Sequence, residues 1–399
     1  MELEDVQAAR TLLDGVIRRT PLEHSRVLAA QAGGPVHIKC ENLQRTGSFK
    51  IRGAYTCIAR MSDEQRAAGV VAASAGNHAQ GVALAAQLLG TRSTVFMPVS
   101  AALPKIVATR NYGAEVRLAG DSVDAALLSA LEFAAETGAQ LVHPFDHPDI
   151  IAGQGTAGLE VLEQCPEVKT VLVCTGGGGL VAGMGVAIKA LRPEVTVVAV
   201  QAEHAAAYPA SLAAGRPIAL ERMATMADGI AVGRPGDLPF ALIQKVVDEV
   251  TTVSEAAISK ALLFCLERAK LVVEPAGAAA IAALLTEPGR WEPPVVAVVS
   301  GGNIDPVLLL RVIQHGMLSA GRYLSVGVRI SDRPGELAGL LALLAGLGAN
   351  VLDVEHSRIT SHLDLGEVEV ALTVETRGSE HRVELLAALN AAGHAVSLS

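Results

Sequence analysis

The hydrophobic period of this chain changes once, and that change divides it. Up to about residue 318, short runs of β-branched and small apolar residues recur: VVAAS at 70–74, STVFMP at 93–98, TVLVCT at 170–175, TVVAVQ at 196–201 and VVAVVS at 295–300. Ala/Leu-rich stretches with helical spacing, such as HAQGVALAAQLLG and LVAGMGVAIKAL, lie between them. Strands covered on both faces read as continuous apolar runs, and their alternation with helices predicts βαβ units around parallel sheets. From Leu324 the period becomes two. Leu324, Val326, Val328 and Ile330 alternate with Ser325, Gly327 and Arg329, the pattern of a half-buried strand. Pro334 sits where a first helical turn should begin, with Asp332 as its cap, and ELAGLLALLAGL runs as a helix to Gly348. A strand follows from Val351. Another, GEVEVALTVET, places Val368, Val370, Leu372 and Val374 on one face, and the helix SEHRVELLAALNAAG leads to a last strand, AVSLS. The order is βαββαβ, the split-βαβ pattern. The boundary is expected in the segment HGMLSAGR, residues 315–322.

Composition narrows the function classes. At about 150 residues per domain, 399 residues fit two or three domains. Half the residues are hydrophobic, enough for a large core, while aromatics make up only 3%. A net charge of −9, with no basic run interleaved with aromatics, argues against a nucleic-acid partner. The mean hydropathy of +0.39 is high, yet no apolar run reaches the ~18 residues of a membrane span. The first residues, MELEDVQAAR, lack the apolar core of a signal peptide. Cys40, Cys57, Cys165, Cys174 and Cys265 are scattered and form no CxxC pair. Together these features predict reduced, buried thiols in a cytoplasmic protein.

Four segments carry chemistry. In SFKIRGA (48–54), Lys50 is either a surface lysine or a Schiff-base lysine, whose amine must shed its proton to attack an aldehyde. Phe49 beside it could wall a flat ring. SAGNHAQG (74–81) follows a strand and opens a helix, so its amides could receive an anion; equally, Asn77 could be only a helix cap, and His78 reads as a helix-start residue. TGGGGL (175–180) sits between an apolar strand and a helix. Four consecutive glycines cost roughly 2–4 kcal/mol of backbone entropy, and close approach to a phosphate explains both the cost and the location. The same residues, Gly177 to Ala182, also satisfy the loose dinucleotide pattern, with Glu203 where a ribose-binding acid would lie. SGGN (300–303) puts a hydroxyl and bare backbone at a sheet edge, and EPAGAA (274–279) reads as a helix start with Pro275 in its first turn.

In their joint order, ENLQRTGSFKIRGA, SAGNHAQG, TGGGGL, EPAGAA and SGGN closely resemble the threonine/serine dehydratase family of fold-type II pyridoxal-phosphate enzymes, over nearly all of residues 5–318. The tail, RISDRPGELAGLLALLAGLGANVLDVEH, resembles an ACT domain. The resemblance implies an α/β, two-subdomain catalytic domain of the tryptophan synthase β type over 1–318, with a small subdomain at about 45–150 inserted in the large one. A ferredoxin-like ACT regulatory domain would occupy 323–399. It displaces the dinucleotide reading.

The resemblance also implies residue roles. Lys50 would hold pyridoxal 5′-phosphate as a Schiff base and shuttle the Cα proton. Phe49 would pack on the ring, Asn77 would bind its 3′-oxygen, and Ser300 would face its nitrogen. Gly176, Gly177, Gly178, Gly179 and Leu180 would bind the phosphate. Ser74, Ala75, Gly76 and Asn77 would hold the substrate carboxylate. A neutral hydroxyl opposite the ring nitrogen makes a weaker electron sink than an acid would, which suits prompt loss of a β-hydroxyl. The implied reaction takes L-threonine, with possible activity on L-serine, through an enamine to a 2-oxo acid and ammonia. Two other readings stay open: a dehydratase of another hydroxy amino acid such as 3-hydroxyaspartate, or a non-catalytic amino-acid sensor. Ala75 stands where racemases of the family carry a second, serine base, so racemisation should be negligible. Gln201, Ala205 and Ala207 replace that branch's metal carboxylates, so no metal site of that type is expected. The tail implies a homo-oligomer and an amino-acid effector, isoleucine or valine, bound near Asp332 to Glu336.

Overall fold

The computed structural model describes residues 1–319, 321–358 and 363–398; for 315, 318 and 319 only the backbone is described. The chain forms two compact units, Met1–Pro306 and Val307–Ser399.

The first unit holds two sheets. The larger has six strands in the order Leu22–His24, Val36–Cys40, Val295–Val299, Thr170–Cys174, Thr196–Ala202, Glu249–Val253. Its members run parallel except Leu22–His24, which pairs antiparallel with Val36–Cys40. Every residue of the central strands Thr170–Cys174 and Val295–Val299 is buried, which is why those segments read as unbroken apolar runs. The smaller sheet has four parallel strands in the order Glu115–Leu118, Ser93–Met97, Val70–Ala73, Gln140–Leu141. It is built wholly from sequence lying between the second and third strands, in chain order, of the larger sheet, so this α/β unit has two subdomains.

The helices Lys50–Ala59, Asn77–Leu88 and Gly179–Leu191 each begin where a strand or turn delivers the chain to a sheet edge. Helix–helix contact is close here. A Cβ on Gly153 would meet the Arg52 carbonyl, and one on Gly183 would meet the Ile151 carbonyl, so these glycines set how near the Lys50 and glycine-loop helices come to the helix Pro148–Gln164.

The second unit has the expected βαββαβ order, with antiparallel strands arranged Asn350–Ser357, Glu367–Glu375, Tyr323–Ser331, Ala395–Leu398. One apolar face, with Val326, Val328, Val370 and Leu372, packs on Leu340, Leu344, Leu385 and Leu389 of its two helices. Two local expectations change. The first helix starts at Glu336, its N-cap is Gly335 at φ +99°, and Asp332 does not cap it: its carboxylate accepts from Arg358 at 3.2 and 3.3 Å. A left-handed residue at that position favours glycine, so the turn outranks the acidic cap. The segment expected as a linker is helical as far as Ser319, and Gly321, at φ +65°, makes the turn.

Candidate active site

A cavity of about 720 Å³ lies in the first unit. Phe49, Lys50, Ser74, Ala75, Gly76, Asn77, Gly176, Gly177, Gly179, Leu180 and Ser300 all line it. Segments distant in sequence therefore meet at one site. Gly178 is not in the lining; it is the helix N-cap, at φ +97°.

Backbone pairing brings the Lys50 and Ser300 segments together. Ser48 bridges Gly301, and the Phe49 N–H donates to the Ser300 carbonyl at 3.2 Å. Lys50 begins its helix at the floor of the cavity and donates from Nζ to the Pro144 carbonyl at 2.8 Å, 5.1 Å from the Phe49 ring centroid. Burial lowers its pKa to about 8, against a smaller opposing pull from Glu274. A neutral, nucleophilic amine is thus accessible near neutral pH.

Asn77 is the first residue of its helix, and Gly76 is the N-cap. Its side chain faces the site instead of capping: Nδ2 donates to Glu274 and Oδ1 accepts from Asn303 at 2.8 Å, while Asn303 also donates to the Thr46 carbonyl at 2.7 Å. His78 is buried, with Nε2 2.8 Å from the Val142 carbonyl; burial, and next the Lys50 charge, lower its pKa to about 3, so it stays neutral.

The glycine run is crowded by the protein itself. A Cβ on Gly177 would enter the Phe145 ring, one on Gly178 would strike the Tyr208 hydroxyl, and one on Gly179 would sit 2.8 Å from Gln154 Oε1. The Tyr208 hydroxyl donates to the Gly177 carbonyl at 3.1 Å and fixes the loop. Ligand approach alone accounts for the glycines in the sequence; protein packing in the fold demands them too. Gln154 is buried, yet neither amide atom has a partner among the described residues. A buried amide without a partner costs about 1–3 kcal/mol, so this loop is built to receive a polar group. An anionic phosphate at the helix N-terminus fits that demand, and a ring-sized cavity between the loop and Lys50 fits a pyridine aldehyde.

Several groups of the site were not singled out in the sequence. Glu274, the N-cap of Pro275–Thr286, is buried in the cavity; burial and then Asp228 raise its pKa to about 7. The helix-start reading of EPAGAA located its backbone and overlooked its carboxyl. Lys105 and Asp228 pair at 2.5 Å and both line the cavity, with Lys105 Nζ 3.8 Å from where a Gly76 Cβ would stand. A cation therefore sits beside the 74–77 segment.

Below the Lys50 helix, fully buried Arg52 donates to both oxygens of Glu41 at 2.7 and 2.8 Å and to Glu160 at 2.7 Å; Lys39 donates to Glu160 at 2.5 Å. Burial pushes the Glu41 carboxyl up, but the Arg52 guanidinium, together with Lys39 and the Thr20 hydroxyl, holds it below its ordinary value. This network ties the Lys50 helix to the strand Val36–Cys40 and the helix Pro148–Gln164. No signal short of Arg52 lying two residues after Lys50 marked it.

Glu203, the acid of the dinucleotide alternative, lies in a turn paired with His204 at 3.4 Å and is not in the cavity lining. Gln201 is spent on the protein's own backbone, accepting from the Tyr208 N–H at 2.9 Å. All five cysteines are buried and unbridged. Among the described residues no helix is long and apolar enough to cross a membrane.

Comparison with known proteins agrees with this geometry. The chain is 49% identical over 396 residues to an L-threonine ammonia-lyase of Thermotoga maritima, covering 99% of each. Its fold matches the processed form of threonine deaminase isoform 2 from Solanum lycopersicum with a TM-score of 0.75 at 36% identity, over 79% of this chain and 87% of that one. It matches maize serine racemase with a TM-score of 0.75 at 35% identity, over 80% and 98%. Residues 324–394 match the ACT domain, and residues 13–301 match the pyridoxal-phosphate dependent enzymes, the family to which this chain belongs.

Proposed function

We propose that the chain deaminates L-threonine to 2-oxobutanoate and ammonia, accepts L-serine as a second substrate, and is regulated through its C-terminal unit. The observation carrying this reading is the convergence of Lys50, the glycine loop and the 74–77 segment on one cavity. In domain terms, residues 1–318 perform the reaction, with the small subdomain at about 45–150, and residues 323–399 sense an effector.

Bound pyridoxal 5′-phosphate supplies the electron sink that lets a Cα proton and then a Cβ hydroxyl leave. Lys50 Nζ would anchor it and would be the base for the Cα proton. Its depressed pKa of about 8 keeps an appreciable fraction unprotonated. Gly176 to Gly179 and Leu180 would hold the phosphate by backbone N–H groups, Phe49 would pack on the ring, Asn77 would serve the 3′-oxygen and Ser300 the ring nitrogen. Ser74, Ala75, Gly76 and Asn77 receive the substrate carboxylate, with Lys105 adding positive charge nearby. Ala75 carries no group that exchanges a proton, so the opposite face of Cα has no second base there.

Threonine over serine rests on one methyl group, worth about 1–3 kcal/mol. The effector is isoleucine or valine, received at the Asp332–Glu336 turn, and the assembly is a cytoplasmic homo-oligomer. The test is 2-oxo acid release from threonine, serine and 3-hydroxyaspartate by the cofactor-loaded protein, with each effector added in turn. Threonine should give the highest kcat/KM. A protein that takes up no cofactor and releases no 2-oxo acid would overturn the reading. Unchanged kinetics and melting with both effectors would remove isoleucine and valine.

A further inference from the structure

We propose that His37, Cys165 and Glu167 form a site for a borderline-soft divalent cation of the Zn2+ type, apart from the catalytic cavity. The strand Val36–Cys40 places alternate side chains on one face, so His37 and Lys39 point the same way. Lys39 reaches Glu160 and Gln164 at 2.5 and 2.9 Å, near the C-terminal end of the helix Pro148–Gln164. His37, two residues back, accordingly meets the next position along, the C-cap Cys165. There the chain turns, with the Val168 N–H donating to the Cys165 carbonyl at 3.1 Å, and this brings Glu167 to the same spot. One donor atom from each of the three side chains lies within 4.8 Å of the other two.

The donor set is an imidazole nitrogen, a thiol sulfur and a carboxylate oxygen. That mixture suits Zn2+ and disfavours the hard, oxygen-preferring Mg2+ and Ca2+. Thiolate and carboxylate together neutralise a divalent ion. His24 lies opposite His37 in the antiparallel register, with ring centroids 5.4 Å apart, and shields one side of it. A cysteine ligates Zn2+ as its thiolate. Binding then forms a sulfur–metal bond and releases the thiol proton to solvent. None of the three residues lines the catalytic cavity. The ion would act as a staple between the second strand of the six-stranded sheet and the end of a helix that also holds Gln154.

The test uses the cofactor-loaded, chelator-treated protein and its Cys165→Ser and His37→Gln variants, titrated with Zn2+ and Co2+. The wild type should bind one equivalent, melt at higher temperature with Zn2+, release protons on binding, and show the tetrahedral d–d bands of Co2+ at wavelengths beyond the cofactor's absorption. Each variant should weaken binding on the order of 100-fold and abolish those bands. Threonine turnover should be the same with and without Zn2+. The same melting shift and Co2+ spectrum in wild type and both variants would overturn the proposal, as would an octahedral Co2+ spectrum in the wild type. Half-buried His37 keeps the test available should Cys165→Ser misfold.

Discussion

The interior of the C-terminal sheet and the interior beneath Lys50 are held by different physics. In Glu367–Glu375, Val368, Val370, Leu372 and Val374 are buried, and the positions between them are half-buried or exposed. One apolar face sits on two helices, and each side chain contributes a roughly independent share of buried area. Beneath Lys50, Arg52 and Glu41 are wholly buried and Glu160 nearly so, all bound in one hydrogen-bonded cluster. Such a cluster adds little net stability when intact, but losing one member leaves its partners charged and dry. The apolar unit should therefore lose stability gradually, whereas the charged floor of the catalytic unit should fail as a whole.

The largest effect should come from Lys50→Ala. Removing both covalent anchor and base should lower threonine turnover by roughly three orders of magnitude or more, with melting of the cofactor-free protein little changed. Turnover within tenfold of wild type would break the assignment. Arg52→Ala comes next. It strands Glu41, leaves Glu160 with Lys39 as its one charged partner, and should cost the first unit about 3–5 kcal/mol in denaturant unfolding. Arg52→Lys should recover only part of this, since one ammonium cannot reproduce the guanidinium's bonds to both carboxylates. Full recovery by lysine would show that charge alone suffices.

Leu372→Ala should cost roughly 2–5 kcal/mol, confined to unfolding of the second unit. If it disturbed Lys50 titration, the contrast between the two units would fail. The smallest effect concerns pH. Below a midpoint near 8, cofactor capture by the cofactor-free protein should rise about tenfold per pH unit, then level off as Lys50 becomes neutral. The Glu274 carboxylate holds that midpoint up. Glu274→Gln should accordingly move it to lower pH by less than about one unit. Stopped-flow absorbance measures this, and a shift to higher pH contradicts the electrostatic account.

The same contrast explains what could be read in advance. The period-two alternation that begins at Leu324 is absent from the central catalytic strands, yet both patterns are legible. Unbroken runs such as VVAVV declare strands covered on both faces, just as alternation over 324–330 declares a half-buried one. Gly176 to Gly179, between a strand and a helix, pointed to close backbone approach because four glycines are costly, and the fold shows Phe145, Tyr208 and Gln154 packed against three of them. Glu274, Lys105, Gln154 and Arg52 announced nothing, since a charged or amide residue reads as solvent-facing until its neighbours are known.

Local chemistry therefore determined the elements and their order, because propensity and periodicity act over a few residues. Tertiary structure alone decided that Asn77 faces Glu274 instead of capping its helix, that Asp332 pairs with Arg358, and that His37 meets Cys165. Those outcomes depend on partners tens to hundreds of residues away. Burial, which sets the charge state of Lys50 and Glu274, belongs to the packed whole and to no single segment.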